Sequence, residues 1–417
     1  VIVGAGIAGG ALWAVGLVVL PALFQWLKVT PNELALERPY IERNIAFTTR
    51  GFALDRVEER QFPLRGDITP EMLERNEHLL TEVRLWDPEA LDQVLEQFQE
   101  IRLYYELTSV DIDRYWMNGK YRQVMVAPRE METGNLPPQS RTFENRHFKY
   151  THGYGLTMAP VSEFTPDGLP QLIVRNMPPV SDYPSLEVVR PEIYYGELTN
   201  DYVVANSASP EFDYPSGTEN VYIHYEGGGG VPMDGLWRKF LYGYKLGGTR
   251  LLFSGYPHEG SRIMFKRNIR ERLGAVAPFL ELDADPYVVL SGGKVYWIVD
   301  AYTSSSYFPY SEPFFPDRQE RLGEAGSSGG AGESHRLRGV NYVRNSVKAV
   351  IDAYDGSVSL FVFDDADPII KTWRRVFPEL FRPASEMPDD LRAHVRYPEG
   401  FLRTQRSEEH TSELQSL

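Results

Sequence analysis

Val1–Leu27 reads VIVGAGIAGGALWAVGLVVLPALFQWL and contains no charged side chain. Gly4, Gly6 and Gly9 match the G-x-G-x-x-G fingerprint of a dinucleotide-binding turn. That chemistry also needs a strand before the turn, an amphipathic helix facing the pyrophosphate, and an acid about 20 residues further on for the ribose. Here the segment after Gly10 has no polar face, and the first acid is Glu33, beyond Thr30-Pro31. As a helix the stretch would be about 40 Å long, enough to cross a hydrocarbon core of roughly 30 Å. Small residues at Gly4, Ala5, Gly6, Ala8, Gly9 and Gly10 would let neighbouring helices approach closely, while Trp26 and Lys28 suit a membrane interface. A secretory signal would begin with a basic region and end at a small-residue cleavage site, and neither is present. The segment is therefore read as a transmembrane helix, and a flavin- or NAD-dependent oxidoreductase is disfavoured. The missing initial Met suggests a chain that begins inside a longer protein.

Outward from that segment, the sequence divides into a mainly helical stretch over 28–120, a β-rich mixed stretch over 121–280 and a hairpin-plus-helix stretch over 281–405. Thr30, Pro31 and Glu33 form a capping box that predicts a helix start. Asp87-Pro88 repeats the signal before Leu91, Val94, Leu95, Phe98 and Ile101, predicting an amphipathic helix to about Tyr104. From Tyr121 short runs rich in Val, Ile and Tyr (YRQVMVA, PQLIVRN, EIYYGEL, DYVVAN) predict strands. Helical spacing returns over 236–245 and 262–279. Two hairpins follow: one turns at Ser291-Gly292-Gly293, and the other at Asp355-Gly356, a type I′ signal. Their shared order of strand, glycine turn, strand and acid suggests a weak internal repeat. Asp367-Pro368 predicts one more capped helix. Between the hairpins lies a Gly/Ser-rich loop, 320–338, which predicts flexibility. Arg406–Ser416, RSEEHTSELQS, resembles the conceptual translation of a sequencing-adapter oligonucleotide, so 406–417 is read as a non-native tail. The fold class is α+β, with one membrane helix followed by a large mixed domain built on antiparallel β-hairpins.

The chain has 417 residues, 42% of them hydrophobic and 24% charged, with a net charge of −15. This is the composition of a folded body, and its acidity argues against nucleic acid as a partner. With no cysteine, disulfides, thiolate metal sites and Cys nucleophiles are excluded.

No strong catalytic constellation stands out. His152, in the run YTHGYG at 150–155, could serve as a general base, with Asp213 and Glu226 as weak acidic companions. The bland alternative is a tight turn holding a satisfied histidine. EFDYP at 211–215 and Tyr225-Glu226 before Gly227–Gly230 carry the materials of a small-molecule groove, and equally of surface turns. Asp111 and Asp113, or Asp364, Asp365 and Asp367, could offer oxygens to calcium, yet neither group completes a loop motif. Gly326, Ser328 and Gly330 match the nucleophile elbow G-x-S-x-G without the strand it needs. No cofactor and no metal site are expected.

The ordered series NELALERPYIERNI at 32–45, VRLWDPEAL at 83–91, YTHGYG at 150–155, RPEIYYGELTNDYVV at 190–204, EFDYPSG at 211–217, NIRERL at 268–273 and NSVKAVIDAYDG at 345–356 is similar to one bacterial family. This is uncharacterised protein family 0182, made of integral membrane proteins. The resemblance implies a bundle of membrane helices followed by a large domain outside the cytoplasm. Val1–Leu27 would then be the last helix of a bundle whose earlier helices are missing. No activity or site residue comes with the resemblance. The expected role is binding, assembly or transport in the cell envelope, with an envelope hydrolase acting on glycan or lipid as the rival. Expected partners are the lipid bilayer, the missing transmembrane helices and envelope proteins. The expected location is the cell membrane, with the domain extracytoplasmic.

Overall fold

The computed structural model describes residues 15–51, 54–58, 69–80, 82–99, 104–108, 110–217, 219–246, 249–311 and 337–402, with a few single positions besides. Two compact units meet in sequence at Glu74 and Arg75.

In the first unit the chain is helical from Val15 to Gly51. Wide π turns over Val15–Val19 and Gln25–Val29 flank α1 (Leu20–Phe24), and a 3-10 turn over Thr30–Asn32 leads into α2 (Glu33–Gly51). No side chain of this run is buried. The expected helix start at Thr30 is corrected: Thr30 has helical φ and ψ of −54° and −41°, and its hydroxyl donates to the Gln25 carbonyl at 3.0 Å. Pro31 lacks an N–H and its ring crowds the preceding turn, and the wider π turn makes that room without breaking the helix. Short helices α3 (Pro70–Arg75) and α4 (Glu77–Leu80) come next in the chain. Among the described residues no helix is long and apolar enough to cross a membrane. Most of Val1–Ala14, including Gly6 of the glycine fingerprint, lies outside the described residues.

The second unit begins at Arg75 and so includes α4; in it α5 (Pro88–Gln99) buries Leu91 and Leu95 against Leu107, Met125, Ala127 and Val161. Strands begin earlier than the sequence suggests. β1 (Tyr105–Leu107) and β2 (Asp111–Met117) both pair antiparallel with the long β3 (Lys120–Met131), inside the stretch expected to be mainly helical. The alternation Asp111, Asp113, Tyr115, Met117 is an inward-facing period of two, which the apolar count alone hides. β4 (Gly153–Tyr154) pairs with β8 (Glu192–Ile193). β5 (Leu156–Pro160), β6 (Val174–Arg175) and β7 (Val180–Ser181) extend the β3 sheet. β9 (Val203–Ala205) joins β12 (Val231–Pro232) and β13 (Arg262–Met264), while β10 (Glu211–Ser216) and β11 (Glu219–Ile223) form a hairpin. Two helices stand between β12 and β13: α6 (Leu236–Lys245) and α7 (Thr249–Phe253). The helix expected over 262–279 is only α8 (Ile269–Val276), because Asn268 accepts from the N–H groups of Arg270 and Glu271 and so caps it there.

A second six-stranded sheet holds β14 (Glu281–Leu282), β15 (Tyr287–Ser291), β16 (Lys294–Ser305), β17 (Tyr342–Asp352), β18 (Val358–Val362) and β19 (Phe381–Pro383). Both expected hairpins are here, side by side through the β16–β17 pairing. The first turns in two residues, Gly292 and Gly293, at φ of 55° and 77°, as a type I′ turn requires. The second does not. Asp352 N–H bonds to Ser357 across a four-residue loop, and the Asp352 carboxylate accepts from the N–H groups of Tyr354 and Asp355. That local Asx contact replaces the type I′ turn. After the sheet come α9 (Pro368–Val376) and α10 (Asp389–Ala393). Asp367 caps α9 as expected.

One core joins the inner faces of the two large sheets, from Val124, Val126, Leu156 and Met158 to Val288, Trp297, Val347 and Leu360. The other face of the second sheet buries Tyr287, Val289, Ile298 and Val350 under Met387 and Leu391. β15 is thus buried on both sides, which is why its sequence is an unbroken YVVL. Most of the Gly/Ser loop, with Gly326, Ser328 and Gly330, and the tail from Arg403 onward lie outside the described residues.

Candidate functional site

His152 sits where the chain enters β4, with no exposed surface. Gly153 makes that entry possible, since a Cβ there would stand 2.4 Å from the Arg129 carbonyl. The His152 ring stacks on Tyr194 at 4.7 Å between centroids. Its Nδ1 faces the Thr151 hydroxyl at 2.9 Å, and that hydroxyl donates to Glu211 at 2.6 Å. Having spent its proton on Glu211, the hydroxyl accepts from Nδ1. The other nitrogen faces Asp213 at 3.4 Å. Glu211 is the hub: besides Thr151 it accepts from the Tyr194 hydroxyl at 2.8 Å and from the N–H groups of Asn206 at 2.8 Å and Tyr225 at 3.0 Å. A buried carboxylate with four donors is satisfied, and it ties β4, β9, β10 and the Tyr225 turn together.

The three expected site residues therefore divide. His152 and Asp213 are neighbours in the interior. Glu226 is apart from them in environment, with a side chain 76% exposed and 3.7 Å from Arg190. The glycines after it are held against another loop. Asp355, from the loop of the second hairpin, accepts from the Tyr225 hydroxyl at 2.5 Å and from the N–H groups of Gly228 at 3.1 Å and Gly229 at 3.2 Å. A Cβ on Gly229 would come within 2.3 Å of the Asp355 carbonyl, so the two loops close on each other.

The aspartates considered for calcium have other partners. Asp111 meets Arg396 at 2.9 Å and accepts from Val288 N–H; Asp113 stands 2.8 Å from His394 Nδ1. Arg396 also reaches Asp285 at 3.0 Å and lies over the Tyr287 ring at 4.1 Å. Burial raises the pKa of Asp111 and of Asp285, and Arg396 only partly opposes it. The pattern was open to sequence reading: D-x-D in β2 and H-x-R at 394–396 share a period of two and complementary charge. Of the later group, Asp365 pairs with Arg374, and Asp367 accepts from the hydroxyls of Thr303, Tyr342 and Ser346 while capping α9. Burial pushes the Asp367 carboxyl up, but those bonds together hold it below its usual value. Among the described residues no group of three His, Asp or Glu side chains could hold a metal ion.

Sequence reading missed a cavity of about 680 Å³ lined by Phe143, His147, Asp201, Lys245, Arg250 and Lys266, among others. His147 Nδ1 donates to the Tyr202 carbonyl at 2.7 Å, and the ring stacks on Tyr202 at 4.1 Å. Burial lowers the His147 pKa below its ordinary value. Arg146 forks onto Asp201, and Lys266 lies 3.6 Å from Glu271. The wall is gathered from segments more than a hundred residues apart, so no local motif announces it.

The model of the uncharacterised protein family UPF0182 matches residues 1–411. The chain is similar to "UPF0182 protein" of Pelotomaculum thermopropionicum, 46% identical over 93% of this chain and 40% of that one. A protein of the same name from Trichodesmium erythraeum is 45% identical over 94% of this chain and 42% of its own length. One from Sulfurovum is 44% identical over 94% and 41%. The chain thus spans about two-fifths of the length of these curated relatives. No solved structure matches it.

Proposed function

Because the chain belongs to the uncharacterised protein family UPF0182, with no activity to inherit from its relatives' names, we propose from its own residues that it is a membrane-anchored, extracytoplasmic domain acting in binding, assembly or transport. The observation that carries this reading is the charge-free run Val1–Leu27. Where it is described, from Val15 onward, its Leu, Val, Phe and Trp side chains are exposed, which in water would be costly for so long an apolar stretch. Catalysis by His152, Asp213 and Glu226 is not favoured: a general base must reach a substrate proton, and His152 has no exposed atom.

An introduced cysteine is the only thiol in these 417 residues, and any cysteine elsewhere in the full-length protein is first replaced by serine. A chain carrying Tyr307→Cys, at a position 90% exposed, is expressed within its full-length protein and treated in intact cells with a membrane-impermeant maleimide. Labelling before lysis is expected. Labelling only after lysis overturns the extracytoplasmic placement.

A further inference from the structure

α6 turns one face inward and leaves a different kind of face outside. Tyr242 packs, with Leu246 just beyond the helix, against the buried cluster of Phe148, Val204, Met233, Leu251 and Ile263. On the opposite side Leu236, Trp237, Phe240, Leu241 and Tyr244 are all exposed, three of them strongly: Leu236 by 82%, Trp237 by 69% and Tyr244 by 85%. At 100° per residue the five fall within an arc of about 140°. Trp237 and Phe240 stack on each other at 5.7 Å, and Phe253 of α7 adds another ring, 83% exposed. A helix on a protein surface ordinarily shows water its polar face.

Charge singles out the same segment. Residues 236–253 carry Arg238, Lys239, Lys245 and Arg250 and not one acid, in a chain whose net charge is −15. Arg238 is paired with Asp234, and Lys239 donates to the Pro257 carbonyl. Lys245 and Arg250 have no ion-pair partner among the described residues, and both line the cavity of about 680 Å³ beside the helix pair.

We propose that α6 and α7 lie on the surface of an anionic lipid bilayer, with the aromatic arc in the boundary between headgroups and acyl chains and with Lys245 and Arg250 facing headgroup phosphates. Trp, Tyr, Phe and Leu on one arc, with Lys and Arg beside it, is the composition of an interfacial helix. A bilayer is apolar and anionic at once over a broad surface, which answers both halves of the pattern. A protein partner would have to supply a wide apolar face and an acidic rim together. This contact is separate from the one assigned to Val1–Leu27, and it stands whether or not that segment crosses the membrane.

The test uses the whole 417-residue chain, reconstituted into phosphatidylcholine vesicles with or without phosphatidylglycerol. Tyr244→Cys, or Phe253→Cys where the first variant folds poorly, is labelled with an environment-sensitive nitrobenzoxadiazole dye. Tyr307→Cys is the control. The label on the helix pair should shift to the blue and be quenched by lipid-borne quenchers in vesicles containing phosphatidylglycerol, while the control stays in water. Lys245→Gln with Arg250→Gln should weaken that response about 25-fold, at roughly fivefold per cation. Equal shifts with and without anionic lipid overturn the proposal. So does a helix label that stays in water on vesicles yet becomes protected in the detergent-solubilised full-length protein, an outcome that assigns the face to protein packing.

Discussion

α5 and α6 are both amphipathic helices of the second unit, and they use their apolar stripes in opposite ways. α5 turns Leu91 and Leu95 into the sheet, where neither is more than 3% exposed. α6 buries Tyr242 only in part and presents Leu236, Trp237, Phe240, Leu241 and Tyr244 to the outside. The difference shows that helical period locates a stripe without saying what it faces. Inward contacts carry the stability of the fold, whereas the outward stripe of α6 should carry little of it and is free to serve a partner. Substitutions on the two sides should therefore separate cleanly.

The largest loss is expected inside, at the polar hub. Glu211→Ala leaves the hydroxyls of Thr151 and Tyr194 and the N–H groups of Asn206 and Tyr225 without their acceptor. Each orphaned buried group costs about 1–3 kcal/mol, so a loss of roughly 5 kcal/mol or outright unfolding is expected in denaturant melts. A loss below about 1 kcal/mol would mean that the network is not what holds β4, β9 and β10 together.

A smaller effect is readable by pH. Glu130 accepts from the N–H groups of Glu197 and Leu198, but its complete burial raises its pKa to about 7. A carboxyl raised in the fold contributes stability that is fully present below its unfolded value of about 4.3 and is lost as pH rises through about 7. From about pH 6 to pH 8 this group alone should lower stability by about 1 kcal/mol. The difference between the wild type and Glu130→Gln in urea melts should change by that amount across the window. A constant difference would show that Glu130 does not titrate there.

Much of this architecture was legible because it is local. Asp367-Pro368 announced α9, Gly292-Gly293 announced a two-residue turn, and Leu91 with Leu95 announced a buried helix face. What escaped needed partners distant in sequence. Asp355-Gly356 reads as a type I′ turn until Asp352 is seen bonding the loop from within and Asp355 reaching the Gly228 and Gly229 amides. The site has the same limit: residue type singles out His152 and Asp213, yet only the fold shows that Thr151 links His152 to Glu211 and that Glu226 stands elsewhere. Arg262–Met264 looked helical because its strand partners, Val203–Ala205 and Val231–Pro232, are remote in sequence.

The smallest expected effect is also the sharpest test of the contrast between α5 and α6. Leu91→Ala should cost about 2–5 kcal/mol, since it removes a fully buried side chain from the contact with Leu107 and Met125. Trp237→Ser deletes a larger side chain from a helix of the same unit, yet its ring touches little beyond Phe240. Surface substitutions of this kind stay within about 0.5 kcal/mol. Measured on the same chain in the same buffer, the two variants should thus rank opposite to the volume they remove. If Trp237→Ser destabilised the isolated chain as much as Leu91→Ala does, the outer face of α6 would already be packed within the fold, and it would no longer be free to meet a bilayer.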